Sequence, residues 1–208
     1  MPESSNDSRQ LLHDRSIRVR AYAREDDLID LEAELVDVKG YDFPRRRGGV
    51  HKAGEPVHKM LLRITCDANY TIVAAAASFE AAPYGASCAA IDAQYADLVG
   101  MNLARGFRHS LKERFGGING CTHMSELALV LPTAAIQAMA GRRRLKGEGQ
   151  NPDVRPFSLD GCHALRNDGP IVREYMPRWY KVPKGAPPND VAGTPEQPIN
   201  TISSSSDS

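Results

Sequence analysis

Apolar and polar residues alternate from Ile17 to Ala23 (IRVRAYA), the mark of a strand with one buried face. After the charged turn Arg24-Glu25-Asp26-Asp27, the stretch Leu28–Val38 (LIDLEAELVDV) is apolar at positions 29, 31, 33, 35 and 36. That spacing fits a strand with a late bulge, while its Glu and Leu content also fits a helix. The acidic turn behind a first strand favours the strand, and with it an antiparallel hairpin. A loop carrying Arg45-Arg46-Arg47-Gly48-Gly49 follows. Val57–Cys66 and Thr71–Phe79 then flank the turn Asp67-Ala68-Asn69-Tyr70 and predict a second hairpin.

Beyond it the period changes. Ser87–Val99 and Leu103–Phe115 carry apolar residues three and four apart, which predicts helices, with Gly100 and Gly116-Gly117 as stops. A third helix is expected from Thr122 through Met139, kinked or split by Pro132 and ended by Gly141. The segment Pro156–Tyr180 is short and punctuated by proline, with Ile171–Tyr175 as an expected edge strand. Strands first and helices after predict an α+β fold. It would be a small antiparallel or mixed sheet of N-terminal hairpins with about three helices packed on one face.

The 208 residues suit one domain of ordinary size. Residues 1–14 lack periodicity and read as a flexible leader. Residues 183–208, rich in Pro, Gly and Ser, read as a disordered tail that cannot bury enough apolar surface to offset its ordering entropy. A single folded unit over 15–182 remains. Lys plus Arg and Asp plus Glu are each 26, so the chain is neutral, which argues against a nucleic-acid-coating protein. No apolar run is expected to approach the roughly 20 residues a membrane helix needs. No apolar segment follows the polar start MPESSNDSRQ, so a secretory signal is not expected and the chain reads as cytoplasmic. In a reducing compartment Cys66, Cys88, Cys121 and Cys162 would be buried hydrophobes, metal ligands or nucleophiles.

The sharpest chemical feature is Gly120-Cys121-Thr122-His123, with Glu126 one turn on. The glycine would let backbone approach a ligand closely, and Cys121 would stand at a helix start, where free amides stabilise a thiolate. The alternative is a buried, inert thiol beside a surface histidine. Cys88 also falls at an expected helix start after a Gly-containing loop, and thiolates with imidazole suit zinc or iron. His58, in Pro56-Val57-His58, would supply a further nitrogen or act as acid or base, or else merely end a strand. Asp37 and Glu126 are candidate general bases. Their structural alternatives are a hydrogen-bonded strand-end carboxylate and a first-turn Glu favoured by the helix dipole. Cys162-His163 would join the site or pack an edge strand. The runs Arg45–Arg47 and Arg142–Lys146 read as solvated loops, or as a clamp for a carboxylate or phosphate anion. Gly-x-Ser-x-Gly is absent, as is any phosphate-cradling glycine loop.

From His58 to Met139 the order His58, hairpin, Cys88, Gly100, Cys121 resembles the iron–sulfur scaffold proteins of the IscU/NifU type, with His58 standing where they carry cysteine. Across nearly the whole folded unit the chain resembles a bacterial family of unknown function, DUF2889. The residues that carry this are Arg18 and Arg24, Val36-Asp37-Val38-Lys39-Gly40-Tyr41, Pro56-Val57-His58, Cys88, Gly120–His123 and Cys162-His163-Ala164. That resemblance implies a link to aromatic-acid breakdown. The expectation is a metal-dependent hydrolase or lyase acting on a small aromatic acid or its thioester. Cys88, Cys121, His123 and His58 would hold zinc or iron, and Glu126, Asp37 or His58 would move protons. The alternative is a non-catalytic metal or iron–sulfur carrier.

Overall fold

The computed structural model of the chain describes residues 9–46, 48–148, 151 and 153–183. Residues 1–8 of the expected leader and 184–208 of the expected tail lie outside the described residues. The chain divides into two compact units, Met1–Glu148 and Gly149–Ser208.

The first unit is the α+β fold that the sequence predicts. Strands β1 (Asp14–Ala23), β2 (Ile29–Val38), β5 (Pro56–Cys66) and β6 (Ile72–Ala81) form an antiparallel sheet in the order β1-β2-β5-β6. The ambiguous stretch 28–38 is a strand, and its register shifts between Asp37 and Val38, the late bulge its spacing implies. Alternation decides the faces. Ile29, Leu31, Ala33 and Leu35 of β2 and Met60, Leu62 and Ile64 of β5 are buried, while Glu32, Glu34 and Arg63 point the other way. At about 1.5–3 kcal/mol for each fully buried large apolar side chain, the six larger members of this row dominate the sheet's attachment to the helices. A two-residue hairpin, β3 (Phe43–Pro44) with β4 (Val50–His51), lies where a plain loop is expected.

The helices are α1 (Ala86–Ala89), a 3-10 segment Asp92–Leu98, α2 (Phe107–Phe115), α3 (Thr122–Leu129) and α4 (Leu131–Leu145). The expected helix over 87–99 is thus a short turn and a 3-10 run. Pro132 splits the third helix, because it lacks an N–H and fits only the first turn of a new one. Gly141 does not end α4. A helical glycine costs only about 1 kcal/mol, and Arg142 and Lys146 tie the helix end to Asp27 in the β1–β2 turn. That contact gives part of the basic run a structural role.

By length and composition alone, an 18-residue window within Thr122–Leu145 reaches a mean hydropathy of 1.2, enough for a membrane span, although the stretch is two helices with polar residues in it and no continuous apolar run. Core helices of globular domains pass the same test. Here Met124, Leu127, Leu131, Ala135 and Met139 are buried in the core beneath the sheet. Tyr95 is fully buried and stacks on Phe115, with ring centroids 4.7 Å apart.

In the second unit, Pro170–Tyr175 is a helix (α5) and not the edge strand expected over 171–175. Proline at its first turn is preset for helical φ.

Candidate functional site

Two registers set the site. Arg15 of β1 lies directly across from Asp37 of β2, and Asp37 directly across from His58 of β5. Asp37 continues the inward-facing row Ile29, Leu31, Ala33, Leu35, so a carboxylate occupies the last core-facing position of a central strand. It is 1% exposed. A buried carboxylate must be paired, and this one is. Arg15 donates from Nε to Oδ1 (2.7 Å) and from Nη2 to Oδ2 (2.8 Å), a two-pronged bond. His58 Nδ1 lies 3.0 Å from Oδ2, and because a carboxylate only accepts, Nδ1 carries the proton. His13 Nε2 lies 3.3 Å from Oδ1.

Helix α3 caps this row. His123 sits on its first turn, and its Nε2 is 3.6 Å from Asp37 Oδ2. The His123 and His58 rings stack with centroids 3.9 Å apart. Glu126, one turn on, pairs with Arg15 Nη1. Cys121 is the residue preceding α3, and its Sγ lies 3.9 Å from His123 Nδ1. The Cys121 N–H donates to the hydroxyl of buried Tyr95 (2.9 Å), which fixes where the helix starts. Gly120 serves that start differently from expectation. A Cβ there would lie 2.3 Å from the Phe115 carbonyl, so glycine permits close packing on the end of α2.

Among the described residues, Asp37, His58 and His123 form a group whose ligand atoms all lie within 4.8 Å of one another. Cys121 adjoins that group through His123. Cys88 sits in α1, half-buried, and is not among the three. Cys66 is buried in the core, which pushes its thiol up to about 11. Cys162 is exposed in the second unit, where His163 contacts Arg166. His13 and Arg15 are the residues that sequence reasoning missed. The available signal was the inward parity of β1, Ile17-Val19-Ala21, which runs back to Arg15.

Burial works against the Asp37 carboxylate, but the bonds and charge of Arg15, with His13 and His58, outweigh it and hold its pKa below the usual range. Burial, then repulsion from His123, lowers the pKa of His58 despite the attraction of Asp37. Both shifts have one consequence. Each group binds its proton less readily folded than unfolded, so its stabilisation is present above its unfolded pKa and is lost on acidification. The urea midpoint is expected to be highest near neutrality and to fall first below about pH 6.5 through His58. It should fall again below about 3.9 through Asp37. A midpoint that rises between pH 7 and 5 would contradict this.

No curated protein and no solved structure matches the chain. A family model described as protein of unknown function, DUF2889, matches residues 13–137, from His13 through β1, β2, β5, β6, α3 and into α4. The matched span takes in Arg15, Asp37, His58, Cys121, His123 and Glu126 and ends before Cys162-His163; on that match the chain belongs to the DUF2889 family.

Proposed function

We propose that this protein is a metal-dependent enzyme, a hydrolase or lyase, whose centre is the Asp37–His58–His123 group. The observation that carries the reading is the approach of three ligand atoms to within 4.8 Å at the rim of the sheet. His58 and His123 would supply nitrogen and Asp37 oxygen to zinc or iron. Cys121, whose Sγ lies on the Nδ1 side of His123 while Nε2 faces Asp37, would be a sulfur donor only with the His123 ring turned to offer Nδ1 to the ion. A bound dication would polarise a substrate oxygen or acidify a water. The chain's own residues do the remaining work. Asp37 fixes the His58 ring by accepting from Nδ1, which leaves Nε2 as the nitrogen that would hold a metal. Arg15 holds Asp37 in place, and exposed Glu126 stands by to take or give a proton. The substrate we propose is a small aromatic acid or its thioester, and the compartment the cytoplasm, in keeping with four free thiols.

A second reading has its own observation. Arg15 already neutralises Asp37 with two bonds, which disfavours an adjacent dication, so Asp37 and His58 would act as a metal-free general-base pair. One experiment separates the two. Hydrolysis of aryl thioesters is expected to stop on chelation, to return with added zinc or iron, and to be lost in His58→Ala. Activity that survives chelation but not His58→Ala favours the metal-free pair. No turnover, with iron and acid-labile sulfide in the protein, favours the carrier.

A further inference from the structure

We propose that the face of the sheet turned away from α3 and α4 is the surface through which two copies of this chain pair. Over the middle of that face the charges run in stripes, one sign to a strand, with Asp14 at the start of β1 the exception. β1 presents Arg18 and Arg20, β2 presents Glu32 and Glu34, β5 presents Lys59 and Arg63, and β6 presents Glu80. In the spatial order β1-β2-β5-β6 the signs are therefore plus, minus, plus, minus. Such a sequence is its own complement when reversed.

A two-fold rotation about an axis parallel to the strands, midway between β2 and β5, performs that reversal. It sets β1 against β6 of the second copy and β2 against its β5, so each stripe meets the opposite sign. A two-fold interface must be self-complementary in this way. Stacking without reversal would set like on like.

The pairing within one sheet leaves these charges partly unspent. Lys59 pairs with Glu80 at 2.7 Å, but Arg63–Glu32 and Lys59–Glu34 are 4.0 Å apart. Arg18 and Arg20 form no ion pair among the described residues, although they lie directly across from Glu34 and Glu32. Between the stripes runs a shallow groove of about 450 Å³, lined by Leu61 and Ala76 together with Arg18, Arg20, Glu32 and Arg63. It gives the seam an apolar strip. Size is sufficient as well. Four strands of ten or eleven residues cover about 600 Å² at ordinary strand spacing, so a pair would bury about 1,200 Å², at the lower edge of stable interfaces.

Sedimentation equilibrium of the full chain tests this. At low salt the expected mass is twice that of the chain, shifting toward a single chain in molar sodium chloride as the stripes are screened. Ala76→Arg, at an exposed position, is expected to raise the dimer dissociation constant by about tenfold or more without altering the circular dichroism. Glu32→Lys with Glu34→Lys in one chain, and Lys59→Glu with Arg63→Glu in another, should each yield single chains that pair when mixed. A single-chain mass for the unaltered protein at low salt overturns the proposal. So does an Ala76→Arg variant that dimerises as tightly as the unaltered chain.

Discussion

Replacing Arg15 by alanine is expected to lower the folding stability by about 2–3 kcal/mol, read as a reduced urea midpoint with an unchanged slope. The reason is the state it leaves behind. Asp37 is 1% exposed and draws two of its bonds from Arg15. Removing one partner of a buried pair costs about 3–5 kcal/mol because the other charge stays buried. The Arg15 side chain is itself 31% exposed, and solvent screening brings the expected effect to the bottom of that range or just below it. Without Arg15, burial of Asp37 is opposed only by His13 and His58, so its pKa should move upward from the depressed position it holds in the intact protein. Asp37→Asn in the Arg15→Ala background should recover part of the stability, since contacting residues do not add. A loss below about 0.5 kcal/mol would mean that the Arg15–Asp37 pair does not hold the end of the sheet.

The second large effect concerns the ligands. His123→Ala is expected to abolish zinc retention and His58→Ala to do the same, each with native circular dichroism. Asp37→Asn, which keeps the shape but weakens the acceptor behind His58, should cost at least about 10–100-fold in zinc affinity. Cys121→Ser separates the roles of the thiol. Loss of zinc makes it a ligand, and full retention confines the centre to Asp37, His58 and His123. Cys88→Ser should change nothing if α1 stands outside the centre.

The hydrophobic alternation of residues 17–38 and 57–79 makes both hairpins legible, with the helical alternative for 28–38, which rests on Glu and Leu content, set aside by the charged turn before it. The helical half was legible in kind and less so in extent. Pro132 announces a break but not that α4 continues past Gly141, because the contact that favours continuation, Arg142 and Lys146 on Asp27, joins residues 115 or more apart. Ile171–Tyr175 is apolar enough for a strand, and Pro170 was the overlooked start signal.

At the site, Asp37, His58, His123, Cys121 and Glu126 were visible from residue type and placement at element ends. Their assembly was half visible too. Asp37 falls on the same parity as Leu31 and Leu35, and a charged residue on a core-facing parity must find a partner. That the partners are Arg15 and His58 depends on strand register, which residue spacing within one strand does not report. Cys88 and Cys121 share only a position at the start of a helix in the sequence, and that likeness carries no information about distance.

Whether a divalent metal binds at Asp37, His58 and His123 is decided by the metal and acid-labile sulfide content of the purified full chain, followed by calorimetric titration of the chelated protein with zinc. The expected result is about one zinc or iron per chain, no sulfide, and stoichiometric rebinding that His58→Ala and His123→Ala lack. A protein that purifies without metal and takes up none on reconstitution would contradict it.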